Sequence, residues 1–199
     1  MLAHMLTFTA LALFLPLIRE DLQLSFTQGG VLGAAATFSY ALGQMPAGFL
    51  ADRFGAKRLF YLGLLGWSVM SLVFGFIHSF PLAVANQLVA GVFRALLFAP
   101  GLALLASSFG PERRATAMSF FWVGCFCGNI VLALAGPLLA AQFGWRAAYI
   151  FFAALGVVAV LGYFLSPAQA TPHVAGRRFA VTDALALLRH GILWICAAL

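Results

Sequence analysis

Apolar positions fall into six continuous blocks, about 2–17, 28–50, 59–77, 82–108, 115–141 and 147–165, separated by short polar turns. Each block is close to the ~20 residues that an α-helix needs to cross a hydrocarbon core of about 30 Å. The runs are unbroken and show no ten-residue alternation, which excludes a transmembrane barrel. The pattern predicts an all-α membrane protein with six transmembrane helices. The first block is the shortest: at 1.5 Å per residue, Met1 to Leu17 covers roughly 25 Å. It lacks the basic start of a secretory signal, and a few residues are expected to precede it.

The ends of the blocks carry helix signals. Ser25 and Gln28 have capping-box spacing ahead of the second block, and Pro111 suits the first turn of the fifth. After Leu165 the character changes: Ser166, Pro167, Gln169, Thr171, Pro172, Gly176, Arg177 and Arg178 make a polar linker. The chain thus divides into a six-helix bundle over 1–165, a cytoplasmic linker over 166–183 and, over 184–199, the cut-off start of a seventh helix.

Composition narrows the class. Of 199 residues 64% are hydrophobic and only 8% charged, with a mean hydropathy of +1.04, whereas soluble domains are about 45–50% apolar. The net charge of +6 does not point to nucleic acid, because the basic residues sit in short turns between apolar blocks. Arg53, Lys57, Arg58, Arg113, Arg114, Arg177, Arg178 and Arg189 fall on one side of the bundle, against Arg19 and Arg146 on the other. Eight against two places the larger set, and the N-terminus, in the cytoplasm of a multi-pass cell-membrane protein. Cys125, Cys127 and Cys196 lie in apolar sequence, and an i, i+2 pair diverges on a helix, so neither a disulfide nor a metal site follows.

Two stretches echo each other. Ala47-Gly48, Phe54-Gly55, Arg58 and Tyr61 recur as Ala135-Gly136, Phe143-Gly144, Arg146 and Tyr149, with a one-residue gap. Blocks two and three thereby resemble blocks five and six. Copies three spans apart insert with opposite polarity, which is an inverted three-plus-three repeat.

The sharpest local motif is Gly48-Phe49-Leu50-Ala51-Asp52-Arg53-Phe54-Gly55-Ala56-Lys57-Arg58, between blocks two and three. Gly48 suits a close helix approach and Gly55 a tight turn, while Asp52 can cap amides or pair with a cation. Arg53, Lys57 and Arg58 can hold the turn to an anionic leaflet. This stretch resembles the loop signature of the major facilitator superfamily, Gly-x-Leu-Ala-Asp-Arg-x-Gly-Arg-Lys, with Ala56 at one usual basic position. The resemblance covers essentially the whole chain and about half of a family member. It implies a secondary transporter in which two six-helix halves rock about a cavity, with Gly48, Asp52, Arg53, Gly55, Lys57 and Arg58 as the gating loop.

Arg94 is the one charged residue inside any of the blocks. A guanidinium at mid-membrane costs about 2.5 to 3.5 kcal/mol even on the lenient insertion scale, so it must face protein or water. With Gln87, Gly91, Phe98 and Gly101 it forms one helical face. It looks like the family's buried span-four arginine, although Leu97-Phe98 stands where that motif has Gln-Gly. Two roles fit: a tether to a carbonyl, to Asn129 or to a second half, or a binding and coupling residue. Tyr40 and Gln44 on block two, Gln87 on block four and Asn129 on block five are the hydrogen-bonding candidates. His4, Thr7 and Thr9 on block one are further possible ligands. Gly144-Trp145-Arg146 reads as an interfacial anchor, and Gly124-x-x-x-Gly128 as a tight helix contact.

No phosphate loop, zinc spacing or nucleophile with a partner base occurs, so no enzyme, cofactor or metal is expected. The expected function is secondary active transport of a small solute by alternating access, coupled to an ion or proton gradient. The alternative is a truncated or non-transporting membrane module that needs a missing C-terminal half or a second copy.

Overall fold

The computed structural model describes residues 2–165, with side chains from Thr9 onward apart from 159 and 162–165. The expected linker over 166–183, the expected seventh helix over 184–199, and the side chains of His4 and Thr7 lie outside the described residues. Within them every element is helical: α1 (Leu2–Asp21), α2 (Phe26–Phe54), α3 (Ala56–Phe74), α4 (Phe80–Ser108) and a long element, Pro111–Leu165. Gly144, at φ 81° and ψ 158°, breaks the last into α5 (111–143) and α6 (145–165). Among the described residues, Ala56–Phe74, Phe80–Ser108 and Pro111–Val158 are long and apolar enough to cross a membrane by length and composition.

The helix starts follow their signals. Ser25 Oγ accepts from the Gln28 amide at 3.2 Å, and Gln28 Oε1 accepts from the Ser25 amide at 2.9 Å, closing the capping box of α2. The fifth helix begins on Pro111. Helices overrun the apolar blocks at polar ends: α2 continues through Asp52 and Arg53 to Phe54, because hydrogen bonding along the backbone does not stop where hydropathy does. Gly55, at φ 91°, ends α2 and begins α3, and its amide bonds the Ala51 carbonyl at 2.9 Å.

α4 lies between α2 and α3, while α1 runs along the last long element, which also meets α3. Lipid tails are as apolar as leucine, so these contacts rest on close packing rather than on expulsion of water. Small residues set them. A Cβ added at Gly91 would strike Ser39 Oγ and the Ala36 carbonyl of α2, and one at Gly63 would strike the α4 backbone near Phe93 and Leu97. Gly48 and Gly124, expected at such contacts, face open space among the described residues. Hydropathy marks which residues are small; only the neighbouring helix decides which of them is touched. Phe14, Ile18, Leu32, Phe74, Leu132, Tyr149 and Phe152 form the buried core where α1, α2, α3, α5 and α6 meet.

Candidate functional site

Gly91 lets α2 come against α4 at the backbone of Tyr40, and Arg94 stands one turn further along α4. Arg94 is 8% exposed, and its guanidinium carbon lies 4.1 Å from the centroid of the Tyr40 ring. A desolvated cation over an aromatic face gains about 2 kcal/mol, which offsets most of the insertion cost of about 2.5 to 3.5 kcal/mol. Tyr40 and Gln44, four residues apart on α2, share a side-chain hydrogen bond. Phe98, one turn beyond Arg94, meets Tyr40 edge-on at 6.4 Å and reaches α5 through Phe121 at 6.4 Å and Trp122 at 6.1 Å. The cation thus faces the Tyr40 ring, and Phe98 carries that aromatic contact on to α5. A guanidinium of this kind can pair with a carboxylate through its planar fork of donors.

Gln87 and Asn129 are placed elsewhere. Gln87 is 2% exposed; it donates to Asn86 Oδ1 at 3.5 Å and shares a side-chain hydrogen bond with Tyr149. Asn86 in turn donates to the Met70 carbonyl at 3.1 Å. This amide pair ties α4 to α3 and α6 inside the core. Asn129 Oδ1 accepts from Thr9 Oγ1 at 2.6 Å, joining α1 to α5. Arg94, Tyr40 and Gln44 therefore come together, while Gln87 and Asn129 belong to two other polar contacts. Asn86 was not singled out in the sequence, although two adjacent amides in an apolar span are a usable signal.

The loop residues lie at the α2–α3 joint. Asp52, Arg53 and Arg58 are exposed and Gly48, Gly55 and Lys57 half-buried, with the Arg53 guanidinium 5.6 Å from the Phe54 ring centroid. Among the described residues Asp52 has no ion pair. Arg146, expected as an interfacial anchor, also gathers acceptors from neighbouring helix ends. It donates to Asp21 Oδ2 through Nε at 3.1 Å and Nη2 at 2.5 Å, and through Nη1 to the carbonyls of Gly75 at 3.0 Å and Ile77 at 2.7 Å. One guanidinium so binds the end of α1 and the end of α3 to the start of α6.

Comparison with known proteins gives a consistent result. The sequence model described as Major Facilitator Superfamily matches residues 1–199. A probable L-galactonate transporter of Escherichia coli (strain K12) is 30% identical over 151 residues, 74% of this chain and 33% of the relative. A probable galactarate/D-glucarate transporter of the same strain is 31% identical over 156 residues, 75% of this chain and 34% of its own length. A D-galactonate transporter of Escherichia coli O6:H1 is 28% identical over 150 residues, 74% and 34% of the two chains. The matches span about one third of the length of these curated relatives.

Proposed function

Because this chain belongs to the Major Facilitator Superfamily, we propose that it supplies the N-terminal six-helix half of a secondary transporter for small organic acids. Three of the relatives are named for sugar acids, each of which carries at least one carboxylate. The observation that carries the reading is Arg94, buried against Tyr40 with Gln44 attached. A guanidinium offers a planar fork of donors that matches a carboxylate. In this reading Arg94, Tyr40 and Gln44 hold the acid group, Asn129 serves its hydroxyls, and Gln87 keeps the Arg94 helix in register.

The six helices are read as crossing the cell membrane from a cytoplasmic N-terminus, as an inverted three-plus-three repeat. Two features support this. Gly55 and Gly144, at matching places in the two copies, are the positive-φ glycines among the described residues. The packing of α2 on α4 has its counterpart in that of α5 on α1, where Gly136 faces Leu13 and Phe14 and Asn129 meets Thr9, as a two-fold relation between the copies requires. A second six-helix half, or a second copy, completes the cavity. The solute crosses by alternating access driven by an ion or proton gradient, and the loop from Gly48 to Arg58, with Asp52 at its centre, latches one state.

The test is uptake of labelled D-galactonate and D-glucarate into cells producing the full-length gene product. Arg94→Ala at normal membrane levels should lower uptake about a hundredfold, the loss expected when a charged hydrogen-bond donor is removed. Arg94→Lys should recover part of it, since charge returns without the planar fork. Wild-type uptake that survives Arg94→Ala unchanged would refute the role.

A further inference from the structure

Building on the organic-acid reading, we infer that Thr9 is a positioning residue that aims the Asn129 amide at the hydroxyl groups of the substrate. A side-chain amide can turn either its carbonyl or its two N–H donors toward a ligand, and the difference decides whether it reads donors or acceptors. Thr9 Oγ1 donates to Asn129 Oδ1 at 2.6 Å, which occupies the carbonyl end. Among the described residues nothing accepts from the Nδ2 end. Both side chains are half-buried, so the amide is held by α1 without being sealed in the core as Gln87 is.

Asn129 is bonded to Thr9 rather than to Arg94, but its face of α5 leads to Arg94 through a chain of aromatic contacts. Asn129 lies seven residues beyond Trp122, nearly two full turns, and so shares its face of α5. Trp122 touches Phe98, Phe98 touches Tyr40, and Tyr40 faces Arg94. Residues 109–110 join α4 to α5, which makes the two helices antiparallel. Measured from the Phe98–Trp122 contact, Arg94 is roughly 6 Å along α4 and Asn129 roughly 10 Å along α5, both away from that turn. The cation and the amide therefore differ in level by about 4 Å, less than one helical turn. A polyhydroxylated acid with its carboxylate on Arg94 would meet the Asn129 N–H donors with a hydroxyl oxygen.

The test compares Thr9→Val, which keeps the shape and removes the hydroxyl, with Thr9→Ser, which keeps the hydroxyl. Initial rates of D-galactonate uptake are measured in cells producing the full-length gene product, with membrane levels matched. Thr9→Val should raise KM about tenfold with kcat nearly unchanged, the equivalent of one lost hydrogen bond. Thr9→Ser should return KM to within about twofold of wild type. A purely structural bond between α1 and α5 would instead lower membrane abundance or kcat in Thr9→Val with KM unchanged, and that result overturns the inference. So does a Thr9→Val protein whose KM equals that of wild type. Wild-type cells that take up none of D-galactonate, D-glucarate or galactarate would overturn the organic-acid reading first and this inference with it.

Discussion

The two glycine joints of the bundle share a backbone solution and differ in everything around it. Gly55 and Gly144 both take positive φ between two helices, and each is followed within three residues by an arginine. At Gly144 that arginine is fully engaged: Arg146 holds Asp21 and two carbonyls at the end of α3, with Trp145 beneath it at 4.6 Å. At Gly55, Arg58 and Asp52 stay exposed. What separates the joints is the supply of acceptors from neighbouring helix ends. Helix α3 ends with carbonyls that its own backbone cannot satisfy, and they lie where a cation from α6 can reach them. The Gly144 joint is thereby tied to the ends of α1 and α3, whereas the charges beside Gly55 stay exposed among the described residues.

The comparison breaks first at Arg146. Arg146→Ala removes four hydrogen bonds and strands two carbonyls, and should cost about 3 kcal/mol in thermal or denaturant unfolding of the detergent-solubilised protein. Arg58→Ala at the opposite joint should change the same measurement by less than about 0.5 kcal/mol. Equal losses in the two variants would erase the distinction. Next in size are the glycines themselves: Gly144→Ala and Gly55→Ala should each cost about 1 to 2 kcal/mol, since both positions hold a φ that a side chain resists. A loss at one joint alone would mean that the backbone solution is not shared. The smallest effect on stability belongs to Asp52→Asn, within about 0.5 kcal/mol. Its uptake rate, however, should fall about tenfold if the loop latches a state of the transport cycle.

Much of this architecture was legible in the chain because its signals are local. The Ser25–Gln28 capping box, Pro111 at a helix start and Gly55 as a turn each depend on residues within four positions of one another, and each stands in the structure as read. Phe54-Gly55 and Phe143-Gly144, which echo each other in the sequence, both carry a positive-φ glycine in the structure. Long-range pairing was not legible. Tyr40 and Arg94 are separated by two helix boundaries, and no hydropathy pattern states which ring a cation will find. Gln87 and Arg94 lie on one face by spacing, yet Gln87 turns into the core because Asn86 and Tyr149 meet it there. Arg146 looked like an anchor because neither Asp21 nor the carbonyls of α3 are near it in sequence.

The contact at Gly91 has a mechanical outcome. No side chain fits between that residue and Ser39, and one at Gly43 would crowd Ala95, so α2 and α4 are pressed together at backbone distance on both sides of Tyr40. That close approach is what holds the Tyr40 ring face-on to the Arg94 guanidinium.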